Sequence, residues 1–246
     1  MKVIAIIPAR YNSSRFKGKP LVDILGKSMI VRVCEQVKKA KKIDEVYVAT
    51  DDDRILSECQ KECINAIMTG ECNTSTERLY KVSRSINADY YVCINGDEPL
   101  ISPDIIDKIV PSKISKEKYY VSNLITKIKS PSEVIDFTNI KVVKDVNNNA
   151  LLYSRSPIPY PKSSLDYDYY KHLGVLCYNK NALEFFATTE KGENEKIEDI
   201  NELRFLENRI NIKLVAVDTE TLSVDTPKDL DKVIEILKKT NKTLQK

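Results

Sequence analysis

Short apolar runs alternate with amphipathic stretches through roughly the first 110 residues, and that alternation constrains the fold more than any single motif does. Val3-Ile4-Ala5-Ile6-Ile7 reads as a buried parallel strand. Glu45-Val46-Tyr47-Val48-Ala49 gives a second strand, Ile64 to Met68 a third, and Tyr90-Tyr91-Val92-Cys93-Ile94 a fourth. Between them, Asp51 or Asp52 caps a helix running to about Lys61. Thr74-Ser75-Thr76-Glu77 opens another helix with apolar spacing from Ser75 to Ile86, and Pro103 opens a further one. This β-α-β-α order predicts an α/β fold built on a doubly wound, mainly parallel sheet.

The pattern changes from Tyr119 to Tyr178. Strand-like runs at Tyr119–Ile128, Ile140–Lys144, Ala150–Ser154 and Leu173–Tyr178 are separated by Asn- and Pro-rich turns. They predict a small antiparallel extension at about 119–178. A last strand, Lys213 to Val217, and a helix from Pro227 to about Lys239 return to the α/β layout, leaving Thr240 to Lys246 as a frayed tail. A chain of 246 residues can bury one full core, so 1–246 is read as a single domain carrying that extension.

The loop after the first strand, Pro8-Ala9-Arg10-Tyr11-Asn12-Ser13-Ser14-Arg15-Phe16-Lys17-Gly18-Lys19, carries four cationic side chains within ten residues. Open α/β sheets bind ligands at the carboxyl ends of their strands. There, Arg can fork two phosphate oxygens, Lys supplies a point charge, and the backbone can come close at Gly18. By composition alone, a solvated basic loop fits equally well; the position after the first strand favours a polyphosphate site. Two carboxylates add to it. Asn95-Gly96-Asp97-Glu98-Pro99 follows the fourth strand, so Asp97 shares the same edge. In Val224-Asp225-Thr226-Pro227, Thr226 reads as a helix cap that leaves Asp225 just outside the helix. Each Asp alone is an ordinary turn former. Together, beside a phosphate loop, they suit Mg²⁺, which prefers one or two carboxylates plus substrate phosphates.

Other classes of function are disfavoured. A formal net charge of +3 is too small to argue for nucleic acid. The run Lys38, Lys39, Lys41, Lys42 sits at a helix end, where cations complement the dipole. No segment approaches the roughly 20 apolar residues of a membrane span, and no signal-peptide pattern is present, so a cytoplasmic protein is expected. The six cysteines include no CxxC pair and are expected to be reduced thiols in or near the core.

The ordered set PARYNSSRFKGKPL, STERL, NGDEP, HLGV and VDTPKDL closely resembles the 3-deoxy-manno-octulosonate cytidylyltransferases (CMP-KDO synthetases), from about residue 2 to residue 237. The resemblance implies a Rossmann-like nucleotidyltransferase fold, a homodimer formed through the antiparallel extension, and CTP with Mg²⁺. It implies transfer of CMP to the anomeric hydroxyl of an eight-carbon sugar acid for lipopolysaccharide or capsule assembly. It places the nucleotide on Ala9, Arg10, Ser13, Ser14, Arg15, Lys19 and Arg78, and the metal on Asp97 and Asp225. Catalysis would rest on Lys19, Asp97 and Asp225, without a covalent enzyme intermediate. Arg78 read alone is a helix-surface arginine.

The sugar side of the resemblance falls on Asn95, Arg155, His172, Asn201 and Glu202. His172 is the only histidine of the chain, and a lone histidine is commonly structural. Arg155 suits a sugar carboxylate by charge and forked geometry. Here the family pattern breaks: a Gly has become Ser75, a Gln has become Asn95, and a Glu-Gln pair appears as Asn201-Glu202. The Gly before the last motif is Ser223, and an HQSGTER pattern reads Cys72-Asn73-Thr74-Ser75-Thr76-Glu77-Arg78. Moving an amide or carboxylate by one position changes which hydroxyls a site can satisfy. A variant sugar acid or a phosphorylated acceptor is therefore the alternative within this enzyme class. Outside it stand a silent nucleotide-binding protein and a polyanion-binding module.

Overall fold

The computed structural model describes residues 1–12, 16–164, 166–219 and 222–244, with side chains through 240. The apolar run after the first two residues forms β1 (Val3–Ala9), with an almost wholly buried pattern. A hairpin of β2 (Asp23–Ile24) and β3 (Lys27–Ser28) leads into α1 (Met29–Val37). Then come β4 (Glu45–Thr50), α2 (Asp53–Lys61), β5 (Ala66–Met68), α3 (Ser75–Ser85), β6 (Tyr90–Ile94) and α4 (Pro103–Ile109). The middle of the chain gives β7 (Val121–Lys127), α5 (Pro131–Ile135), β8 (Lys141–Lys144), β9 (Ala150–Ser154) and β10 (Tyr170–Tyr178). Helices α6 (Lys180–Thr188), α7 (Glu193–Glu198) and α8 (Glu202–Glu207), strand β11 (Lys213–Ala216) and helix α9 (Pro227–Leu244) complete it.

The central sheet runs β11-β7-β10-β6-β1-β4-β5. β1 pairs in parallel with β4 and β6, β4 with β5, and β7 with β11, while β10 is antiparallel to both β6 and β7. A single reversed strand therefore sits inside an otherwise parallel sheet. The extension expected over 119–178 needs correction on this point: β7 and most of β10 belong to the central sheet. β7 is buried on both faces along nearly its whole length and β10 from Leu173 on, so each is covered on both sides. Among the described strands of this sheet, β8 and β9 leave the main path, β8 pairing onto the start of β10 at Tyr170 and Lys171 and β9 pairing onto β8.

Helices cover both faces. One core cluster joins Ile7, Ile30, Ile106 and Val175, and the other joins Ile6, Leu79, Phe186 and Phe205. The basic run after α1 lies where expected, with Lys38 at the helix end and the backbone N–H groups of Lys41 and Lys42 donating to Asp107. Among the described residues every cysteine is free, four of them buried, and no helix is long and apolar enough to cross a membrane. The C-terminal helix runs on to Leu244 instead of fraying at Thr240, because no Gly or Pro interrupts that stretch.

Candidate active site

The carboxyl ends of β1 and β6 and the start of α3 enclose a cavity of about 330 Å³. Ala9, the last residue of β1, and Arg10 after it form part of its wall. Ser13, Ser14 and Arg15 lie outside the described residues. The loop then turns back: the Gly18 N–H donates to Tyr11 O at 2.9 Å, and Gly18 adopts φ 73°. A Cβ at Gly18 would stand 3.2 Å from the Tyr11 ring, so both the backbone and the neighbour require glycine. A 3₁₀ turn at Lys19–Leu21, stiffened by Pro20, then aims Lys19 into the cavity wall.

Lys19 Nζ donates to Asp97 Oδ2 at 2.7 Å and to Asp225 Oδ1 at 3.3 Å. Three distant segments thus meet on one ammonium. The Val224 N–H donates to Asp97 O at 2.9 Å, which ties the approach to α9 onto the β6 exit. Asp97 Oδ1 is buried and has no hydrogen-bond partner among the described residues. That free lone pair, next to a second carboxylate on the same cation, is the oxygen donor set Mg²⁺ accepts, so the residues present fit the metal. Glu98, only 2 % exposed, was not anticipated. Burial, reinforced by the Asp97 charge, pushes its carboxyl up to about 8, so at neutral pH it is mostly protonated.

Thr74 caps α3 by accepting from the Glu77 N–H at 3.1 Å, and Glu77 Oε2 accepts from the Asn73 N–H at 2.9 Å. This cap puts Thr74 and Ser75 in the cavity wall at a helix N-terminus, an end that favours anions. Arg78, one turn on, is not the solvent-facing arginine that a helix surface would give. It is 3 % exposed, and its guanidinium donates to Asp51 Oδ2 at 2.8 Å, Thr69 Oγ1 at 2.6 Å and Gly70 O at 3.3 Å while lining the cavity.

Asn95 lines the cavity from the other side, lying over Gly174 of β10; a Cβ at Gly174 would fall 2.0 Å from Asn95 Nδ2. Asn201 and Asp199 complete the wall, and Asp199, a non-glycine residue in the left-handed region at φ 51°, is a lining residue that sequence gave no signal for. Glu202 and His172 are not among the residues lining the cavity; Glu202 is buried and His172 half-buried. His172 is held below its ordinary value chiefly by burial, with Glu202 pulling it up and Arg155 pushing it down. Arg155 does not line the cavity. Its guanidinium is taken up by backbone carbonyls, at 2.7 Å to Glu198, 3.2 Å to Phe137 and 3.3 Å to Asp199. The structure therefore gathers Ala9, Arg10, Lys19, Arg78, Asn95, Asp97 and Asn201 around one cavity, with Asp225 on its lysine, and leaves Arg155 engaged elsewhere.

A phosphate-seeking cation and paired carboxylates on this edge of an α/β sheet place the chain among the nucleotidyltransferases. Its relatives narrow the class. Residues 4–212 match the family model described as Cytidylyltransferase. The mitochondrial 3-deoxy-manno-octulosonate cytidylyltransferase of Arabidopsis thaliana is 39 % identical over 98 % of this chain and 84 % of its own length. The 3-deoxy-manno-octulosonate cytidylyltransferase of Geotalea uraniireducens is 40 % identical over 97 % of this chain and its full length. The chain belongs to the 3-deoxy-manno-octulosonate cytidylyltransferase family. A solved structure of CMP:2-keto-3-deoxy-manno-octonic acid synthetase complexed with CTP superposes with a TM-score of 0.92 at 36 % identity, covering 98 % of this chain and 100 % of that one.

Proposed function

We propose that this chain transfers CMP from CTP to the anomeric hydroxyl of a 3-deoxy sugar acid, 3-deoxy-manno-octulosonate or a close variant, releasing pyrophosphate. The observation that carries this reading is the meeting of Lys19, Asp97 and Asp225 on one ammonium at the cavity wall. Family membership and the CTP complex of a 36 % identical relative support the choice of nucleotide.

In this reading Ala9 and Arg10 meet the base and the α-phosphate, Lys19 and Arg15 neutralise the β- and γ-phosphates, and Ser13 and Ser14 belong to the same nucleotide loop. Arg78, anchored by Asp51, lines the nucleotide side. The anomeric oxygen attacks the α-phosphorus in line; a new P–O bond forms as the bond to pyrophosphate breaks. Asp97 and Asp225 would hold Mg²⁺, which lowers the pKa of the attacking hydroxyl and offsets charge on the leaving group. No side chain becomes covalently linked, so positioning and electrostatics carry the rate. Asn95, Asn201, Glu202 and His172 face the sugar, and Arg155 reaches its carboxylate only by giving up carbonyl partners.

We propose a homodimer in the cytoplasm, its product used for lipopolysaccharide or capsule assembly. Phe137, Val146, Leu151 and Tyr160, on and around α5, β8 and β9, are exposed apolar side chains that support this reading. The departures at Ser75, Asn95, Asn201 and Glu202 favour a second reading, the same transfer to a different sugar acid or a phosphorylated acceptor. Pyrophosphate release with CTP and Mg²⁺ across a panel of sugar acids and phosphorylated acceptors separates the two. Efficient turnover of 3-deoxy-manno-octulosonate itself rules out the variant acceptor.

A further inference from the structure

The buried face behind Asn95 holds one polar group that the proposed chemistry has not used. Asn123, on β7, is fully buried. It sits at an irregularity in the ladder, where the pairing of His172 with Ile125 passes directly to that of Leu176 with Asn123. The extra residues of β10 bring two carbonyls opposite the Asn123 amide, which donates from Nδ2 to Leu173 O at 2.9 Å and to Val175 O at 3.2 Å. Carbonyl oxygens only accept, so these two contacts fix which end of the amide is nitrogen.

The other end, Oδ1, is therefore an obligate acceptor. It receives the Tyr153 hydroxyl at 3.2 Å and lies 3.0 Å from His172 Nδ1. A neutral imidazole carries one proton, and only a protonated nitrogen can share a hydrogen bond with that oxygen. Burial keeps the ring neutral, outweighing the pull of Glu202. The edge-on Tyr153 ring, with centroids 6.2 Å apart, fixes the imidazole from a third side. His172 Nε2 has no hydrogen-bond partner among the described residues, and the residue as a whole is half-buried. Two residues on, Gly174 lies on the same face of the strand and carries the cavity-lining Asn95, roughly 7 Å along β10.

We infer that Asn123 is a positioning residue that holds His172 as the Nδ1–H tautomer, with the Tyr153 ring bracing the imidazole, so that Nε2 is a fixed acceptor reading a hydroxyl of the acceptor sugar and not its carboxylate. The hydroxyl half of this inference rests on the proposed transfer to a sugar; the tautomer does not. It also explains why a hydrophilic amide is kept in an otherwise apolar layer. An unsatisfied acceptor there is costly to leave against the wrong ligand, which makes the site selective for a donor at that position.

Because His172 is the only histidine, its ring nitrogens give one unambiguous set of signals in a long-range ¹H–¹⁵N correlation spectrum of the intact protein. Nδ1 is expected to be pyrrole-like (protonated) and Nε2 pyridine-like. Asn123→Leu should move the population toward Nε2–H, whereas Tyr153→Phe, which leaves Oδ1 on Nδ1, should not. A wild-type spectrum with Nε2 protonated overturns the inference, and that spectrum needs no variant to fold. For the sugar half, 3-deoxy-manno-octulosonate analogues with single hydroxyls replaced by fluorine, which cannot donate, are compared by KM. One of them should lose about tenfold in wild type and be no worse than the parent sugar in His172→Ala. No such coupled position refutes hydroxyl reading. Absence of turnover with every sugar acid removes the hydroxyl reading together with the proposed function, while the tautomer still stands or falls on the spectrum.

Discussion

Replacing Lys19 by Met should make this protein bind Mg²⁺ more tightly while making it a worse enzyme. Without nucleotide, the Lys19 ammonium is the cation shared by Asp97, at 2.7 Å, and Asp225, at 3.3 Å. A metal held between the two carboxylates competes with it for their charge. A charge-assisted hydrogen bond is worth about 1.5–3 kcal/mol net. Both carboxylates keep some solvent exposure and the second contact is long, so the lower end applies. At ~1.4 kcal/mol per decade, loss of the ammonium should raise nucleotide-free Mg²⁺ affinity about tenfold, measured by calorimetric titration. Turnover should fall about 10²- to 10³-fold, since a cation preorganised for the departing phosphates is gone. Equal or weaker Mg²⁺ binding by the variant would refute the idea that the ammonium and the metal compete for one pair of carboxylates.

Other perturbations reach separate parts of the account. Glu98 has a folded-state pKa near 8, above its ordinary value of 4.5, so its contribution to stability is complete below 4.5 and is lost as pH rises through 8. Metal-free wild type should lose up to about 1.4 kcal/mol per pH step across that window in urea unfolding, and Glu98→Gln should flatten the slope; parallel curves would contradict the assignment. Gly174→Ala drives a methyl into Asn95 Nδ2 and should raise KM for the acceptor with little change for CTP; equal effects on both would show that Asn95 is not on the sugar side. Arg204 makes a buried two-pronged pair with Glu195, at 2.7 and 2.6 Å, and its remaining bonds go to the Phe186 and Thr189 carbonyls. Glu195→Gln should cost about 3–5 kcal/mol in urea unfolding, since it leaves a buried guanidinium without its counter-charge; a cost below about 1 kcal/mol would show that the pair is well solvated.

What sequence conveyed was local, and what it missed was contact between distant segments. β1 and β6 were readable because buried parallel strands are nearly unbroken apolar runs, and the α3 cap because Thr74 and Glu77 lie three residues apart. The antiparallel character of the Leu173–Tyr178 run was readable from its Asn- and Pro-rich turns, but its place between β6 and β7 was not, because apolar periodicity does not name a strand's neighbours. Lys19, Asp97 and Asp225 were nameable from their motifs, but their shared ammonium spans most of the chain. Arg155 fitted a sugar carboxylate by residue type; two of its three carbonyl partners come from the end of α7, at the left-handed turn of Asp199, and the third is Phe137. Asn123 gave no signal, since an Asn within an apolar strand acquires meaning only from the irregularity opposite it.

The central claim is that Asp97 and its neighbours move CMP from CTP to a sugar acid. It is tested most directly by measuring pyrophosphate release with CTP, Mg²⁺ and 3-deoxy-manno-octulosonate in wild type and Asp97→Asn, with UTP and ATP as controls and folding of the variant checked by circular dichroism. The account predicts acceptor-dependent release that favours CTP in wild type, and a loss of about 10³-fold or more in the folded variant, equivalent to ~4 kcal/mol of transition-state stabilisation. Near-normal release by Asp97→Asn, or no CTP-dependent release with any sugar acid, would contradict it.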